Sequence, residues 1–306
     1  MKQYIRFVML FLLWSNLGIA YGENDSDMAI LKEKHGWSID SIAPGFIRYT
    51  YSGYYTPQEA FQNVNIIEID LSNPNYFVEI LYVDTRDSLS GAATENAAFA
   101  GINGTYELDA SFIKSNGVIY AQNQLPKEHL RFWKHEGALT YDKETNEVTI
   151  TYGDNERYQS YSTKTDILSG SPMLIDNYNP VGLYFTGDLS GLILDSLEYE
   201  DYRRHQGVRH PRTAVAKTRN NHLLLITVDG RHKQAAGMSA KELTQFMRRY
   251  FDPQSALNID GGGSTTMWIK TRNVHVNGVV NYPSDNGIFD HYGQRRVTTF
   301  LLLKDR

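Results

Sequence analysis

In the segment LNIDGGGSTTMW, Leu257 to Trp268, apolar Leu257 and Ile259 alternate with polar neighbours as on a strand, and the pattern breaks at Asp260. Gly261, Gly262 and Gly263 follow, then Ser264, Thr265 and Thr266, before apolar residues return at Met267 and Trp268. Glycines have no Cβ, so the backbone here can take positive φ and approach another group closely. The N–H groups of Gly261 to Ser264 can also converge on an anion. Asp-Gly is a hairpin signal too, and a plain turn between two strands is the competing reading. A two-residue turn needs no triple glycine, whose extra freedom costs chain entropy. The segment therefore reads as a site, with a carboxylate at the mouth of an anion-binding loop.

Upstream lies a helix with a clear start and stop. Ser239 is its N-cap, Glu242 completes a capping box, and Leu243, Phe246, Met247 and Tyr250 form an apolar stripe before Asp252-Pro253. Before it, Leu223 to Val228 is a nearly continuous apolar strand ending in Asp229-Gly230-Arg231. Strand, Asp229, helix, strand and Asp260 make a βαβ-like unit, which puts both carboxylates at carboxyl ends of strands. Ligands bind outside such ends in open α/β sheets. Pro211 stiffens the entry to another strand, Arg212 to Ala216. Arg212 and Arg231 each carry a fork able to hold two phosphate oxygens. A structural ion pair is the competing role for either one alone.

The rest of the chain is mostly extended. Strands are predicted over Phe46–Tyr51, Val64–Ile69 and Phe77–Val83, with a turn at Ser72–Asn75. A helix is expected around Thr94 to Ala100, capped by Thr94. Asn103 and Thr105 sit at a glycine-flanked strand end, where side chains can reach a cleft. Further strands are expected at 117–122, 138–141 and 147–152. The segment ILSGSPMLI holds Ser169, Gly170 and Ser171 but lacks the G-x-S-x-G of a hydrolase nucleophile elbow, so these are substrate-binding or structural positions. Asp195 to Arg204 reads as a charged surface loop or short helix.

Composition bounds the function. Lys2 and Arg6 precede an apolar run from Phe7 to Trp14 and a small-x-small pattern at Gly18–Ala20, which identifies 1–20 as a secretory signal peptide. No other long apolar segment occurs, so no membrane span is expected. The chain has no cysteine, which excludes disulfides, thiolate metal sites and a cysteine nucleophile and suits a bacterial periplasm or exterior. A net charge of -5 without a basic stripe argues against nucleic-acid binding. The 21 tyrosines suit half-buried strands and sugar-lined clefts equally. Histidine spacing argues against zinc, no cofactor is indicated, and a hard cation such as Ca2+ on aspartates and carbonyls stays open.

The motifs HPRTA, VDGR, GMSAKEL and LNIDGGGST, in this order and spacing, resemble the phosphodiester glycosidase family. INGTYE and LSGSPMLI match its upstream motifs, so the resemblance runs from about Ile66 to Leu303. One departure is Glu107, which follows Tyr106 where the family has an aromatic pair. The resemblance implies an α+β fold, with a mixed sheet core and a few packed helices in one large domain over 61–306. Residues 21–60 would form an extension and first strand. It also implies cleavage of a sugar from a phosphodiester.

A phosphate leaving group needs little acid help, so its charge must be neutralised while a carboxylate acts at the sugar carbon. Arg212 and Arg231 fit the first task, helped by the amides of Gly261 to Ser264, and Asp260 and Asp229 fit the second. Asn103, Thr105, Ser169 and Gly170 are the candidate sugar contacts. A non-catalytic glycan-binding module is the alternative, and a metal phosphodiesterase a third reading that lacks its ligand cluster.

Overall fold

Residues 35–270 and 277–306 are described by the structure, a computed structural model. The expected signal peptide and the first part of the extension lie outside the described residues. Strands β1 (Trp37–Ala43), β2 (Phe46–Tyr55), β3 (Ala60–Asp70) and β4 (Tyr76–Asp87) lead into helix α1 (Leu89–Glu95). Next come β5 (Ala100–Asn103), β6 (Ile113–Ser115), β7 (Val118–Ala121), β8 (Gly137–Asp142) and β9 (Glu147–Tyr152). Helix α2 (Asn155–Ser160), β10 (Thr165–Gly170), β11 (Met173–Ile175) and α3 (Tyr202–Gly207) follow. The last third holds β12 (Arg212–Lys217), β13 (His222–Val228), α4 (Ala240–Tyr250), β14 (Ser255–Asn258), β15 (Met267–Ile269) and β16 (Val297–Asp305).

These strands make a seven-stranded sheet, β1-β2-β3-β13-β12-β14-β11, a five-stranded sheet, β7-β6-β10-β8-β9, and a four-stranded sheet, β15-β5-β16-β4. Side chains alternate along β13: Leu223 and Leu225 enter the core where the three sheets meet, while Leu224, Ile226 and Val228 face α4. Burial on both faces explains why that strand is apolar throughout. The expected capping box of α4 is present, with Glu242 N–H donating to the Ser239 hydroxyl and the Glu242 carboxylate accepting from Ser239 N–H. Leu243, Phe246, Met247 and Tyr250 are buried on the sheet as their spacing predicts.

Two expectations need correction. The described ladders are antiparallel rather than mixed. β13 and β14 do run parallel, but β12 lies between them and pairs with both. The crossover through α4 therefore spans one intervening strand. The first helix is α1, capped by Ser88 rather than Thr94, because the Ser88 hydroxyl accepts from Gly91 N–H. Thr94 is in its last turn, and Ala100 opens β5. The molecule is a sheet-rich single domain with few helices.

Candidate active site

Asp229 directly follows β13 and Asp260 lies just beyond β14, at the same edge of the large sheet. One strand separates them, so their backbones are roughly 10 Å apart at ordinary strand spacing. They are not a contact pair. Three influences act on Asp229: burial, which pushes its carboxyl up to about 7, and hydrogen bonds from Asn281 and Tyr282, which pull it back.

Asp260 is half-buried and stands in a charged cleft. Burial raises its carboxyl to about 6; the Ser264 hydroxyl, Lys134 and Arg295 oppose that rise, and Glu107 adds to it. The glycine loop turns sharply beneath it, with Gly262 at φ 61°. Gly262 N–H donates to Pro211 O at 2.8 Å and Ser264 N–H to Gly261 O at 3.1 Å, which takes two amides out of the expected anion nest. The triple glycine has a second use. A Cβ on Gly262 would stand 3.1 Å from Arg231 Nη2, and one on Gly263 would collide with the Arg295 guanidinium and the Asp285 carboxylate. Two guanidinium groups thus lie over successive glycines. Arg295 is braced there by Asp285, whose Oδ1 accepts from its Nε at 2.9 Å.

The opposite wall is aromatic. Tyr106 is buried, and its hydroxyl donates to Ser171 O at 2.8 Å. Trp133 packs at 5.6 Å from Tyr106 and 5.3 Å from His205, and Tyr199 at 5.5 Å from His205 and 6.3 Å from His210. Burial, then the charge of Arg212, hold His205 down to about 2 and His210 to about 3, so both imidazoles are neutral at ordinary pH. Lys134, only 1% exposed, sits 5.0 Å over the Tyr106 ring and bridges Glu107 at 2.8 Å and Glu200 at 2.7 Å. Glu107, the family departure, is therefore an exposed carboxylate paired with the buried Lys134, close enough to influence Asp260.

Several sequence candidates are turned into the protein. Arg212 alternates onto the α4 face of β12 and is 1% exposed. Its guanidinium donates to Met238 O at 2.8 Å, Gln206 Oε1 at 2.7 Å, and His205 O and Val208 O at 2.9 Å each. Burial pulls its pKa down to about 10. It fixes the histidine-bearing segment and presents no fork to the cleft. Asn103 Oδ1 accepts from Thr213 and from Thr266 N–H, and its Nδ2 donates to Asp260 O at 2.7 Å. Thr105 donates to Ser169 O at 2.5 Å, the Ser169 hydroxyl accepts from Phe112 N–H at 2.7 Å, and Gly170 lies against Asn258 O. These expected sugar contacts are braces beneath the loop, because strand-end polar groups buried by a second sheet must find partners there.

Asp229 ties down a different segment. Its Oδ1 accepts from Asn281 Nδ2 at 2.8 Å and from Tyr282 N–H at 3.0 Å. Asn281 also donates to Thr265 O at 3.1 Å, which joins the strand end to the glycine loop. Tyr282 stacks on Phe289 at 3.9 Å, and Phe289 on His232 at 4.8 Å. The Asp229 Oδ2 atom is buried without a partner. Sequence reasoning missed Lys134, His205, His210 and Arg295; only the His210-Pro211-Arg212 motif pointed near any of them. Among the described residues, no three His, Asp or Glu side chains gather to hold a metal ion, and no helix is long and apolar enough to cross a membrane.

A carboxylate and two guanidinium groups thus meet at the glycine loop of a sheet-rich domain. The model of the phosphodiester glycosidase family matches residues 92–304, and the chain belongs to that family. It is similar to N-acetylglucosamine-1-phosphodiester alpha-N-acetylglucosaminidase of Bos taurus, 30% identical over 140 residues, and of Mus musculus, 32% identical over 140 residues. Each match covers 45% of this chain, and 24% and 25% of those relatives, so it spans about a quarter of their length. The zebrafish catalytic domain of that enzyme, auto-inhibited by its pro-peptide, superposes with a TM-score of 0.62 at 18% identity, over 87% of this chain and 86% of that one. A protein from Synechocystis superposes with a TM-score of 0.54 at 13% identity, over 88% of this chain and 64% of that one.

Proposed function

We propose that the chain is an exported hydrolase that cleaves the glycosidic C–O bond of a sugar-1-phosphodiester. The observation that carries this reading is Asp260, half-buried and raised to about 6, beside two guanidinium groups laid over Gly262 and Gly263. Arg231 and Arg295 hold the departing phosphate and neutralise its charge in a site where water is scarce. Asp260, ionised above its pKa, acts at the anomeric carbon as that carbon becomes cationic, or as base on the attacking water. The water oxygen joins the sugar, its proton ends on the phosphate, and a free sugar and a phosphomonoester leave. The neutral histidines and Tyr199 offer hydrogen bonds without adding charge to the wall. Asp229 and Arg212 act at one remove, by holding the segments that carry the cleft.

Hydrolysis of an N-acetylglucosamine-1-phosphodiester in heavy-oxygen water tests the reading. Label in the sugar is the expected result. Label in the phosphate means P–O cleavage, and absence of turnover on sugar phosphodiesters moves the assignment to a glycan-binding module.

A further inference from the structure

The short turn Phe132–His135 turns its side chains two ways. Lys134 is buried in its ion pairs with Glu107 and Glu200, near enough to Asp260 to influence it. Phe132, Trp133, His135 and Glu136 instead line a separate open cleft of about 610 Å³, closed on the other side by Tyr152 and Arg157. Trp133 links the two sides, since it lines this cleft and packs against Tyr106 and His205.

This second cleft has features that packing alone leaves unexplained. Tyr152, at the end of β9, lines the cleft and is 38% exposed. Glu136 is half-buried at the base, and its Oε1 accepts from Met173 N–H at 2.8 Å. Burial pushes that carboxyl up to about 7, so near neutral pH it can both donate to and accept from a hydroxyl group. Flat aromatic faces match the apolar C–H faces of sugar rings, while Glu136 and Arg157 match their hydroxyls.

We infer that the Phe132–Trp133–Glu136–Tyr152 cleft is a saccharide subsite, holding a sugar unit of the substrate beyond the one that is released. The inference rests on the glycosidase reading for its substrate and on this cleft alone for its location. A glycan seated over Trp133 would reach from Asp260 into the second cleft.

Two substrates separate the possibilities: N-acetylglucosamine-1-phosphate esterified to methanol, and the same group esterified to a disaccharide. The full chain should show a KM about tenfold lower for the disaccharide ester, the scale of one aromatic contact. Tyr152→Ala and Glu136→Gln should each collapse that ratio towards one. An equal KM for both esters in the unmodified protein overturns the subsite, as does a ratio that both variants leave intact. Saturation-transfer NMR with the free disaccharide separates this from the enzymatic reading. Transfer that Tyr152→Ala abolishes upholds the subsite even if neither ester is turned over. No transfer, with both esters hydrolysed at equal KM, removes the subsite and leaves the glycosidase.

Discussion

Val228-Asp229-Gly230 and Ile259-Asp260-Gly261 look alike in sequence and end parallel strands of one sheet, yet they sit in different surroundings. Asp229 is 1% exposed and is held by Asn281 and Tyr282, with no other charge among the influences on it. Asp260 is half-buried and feels Glu107, Lys134 and Arg295. Both carboxyls are raised, chiefly by burial, but only Asp260 faces a cleft with cations in it. An elevated pKa thus accompanies two different surroundings, and under the proposed function the neighbours separate a reacting group from a brace.

The largest expected effect is at Asp260. Asp260→Asn should lower kcat by about 10²- to 10⁴-fold, the range for a carboxylate that moves or balances charge in the transition state. Its melting temperature should stay close to that of the unmodified protein. Asp229→Asn should lose less than about tenfold, since a brace acts only through position. Equal losses in the two variants, measured by steady-state kinetics, would break the comparison.

Next come the guanidinium groups. Arg231→Lys and Arg295→Lys should each cost roughly 10- to 100-fold in kcat/KM, because lysine keeps the charge but loses the fork. Kinetics on phosphodiesters against neutral glycosides of the same sugar would check this, with the loss confined to the anionic substrate.

A smaller effect concerns stability against pH. A carboxyl raised from 3.8 to about 7 binds its proton more tightly in the folded state than in the unfolded chain. Its contribution is fully present below pH 4 and is lost as pH rises through 7, so stability falls across that window. Asp229→Asn should flatten the fall, which denaturant melts at pH 4.5 and 7.5 would measure. A slope unchanged by the substitution would show that Asp229 does not titrate there.

Much of the site was legible because its signals are local. The capping box at Ser239, the stripe from Leu243 to Tyr250 and the two strand-end aspartates follow from spacing alone. The inward turn of Arg212 is not legible in the sequence, because a strand's alternation says which residues share a face but not which face a helix will cover. Arg212 shares its face with Ala214 and Ala216, and α4 covers that face. Asn103, Thr105 and Ser169 look like ligands for sugar for the same reason: a polar side chain at a strand end reads identically whether water or a second sheet lies beyond it. Lys134 and Arg295 come from segments without a lasting period, and His205 from the six-residue α3, too short for a period to announce the direction of a side chain. Their positions are set by partners distant in sequence, such as Glu107 for Lys134 and Gly263 for Arg295.

The most direct measurement is the pH dependence of kcat/KM for a sugar-1-phosphodiester, in the unmodified protein and in Asp229→Asn. Asp260 as the reacting carboxylate predicts an acid limb, with activity rising through a pKa of about 6, and predicts that Asp229→Asn keeps that limb in place. A limb that disappears in Asp229→Asn, or moves by a full pH unit or so, would transfer the reacting role to Asp229 and contradict the account.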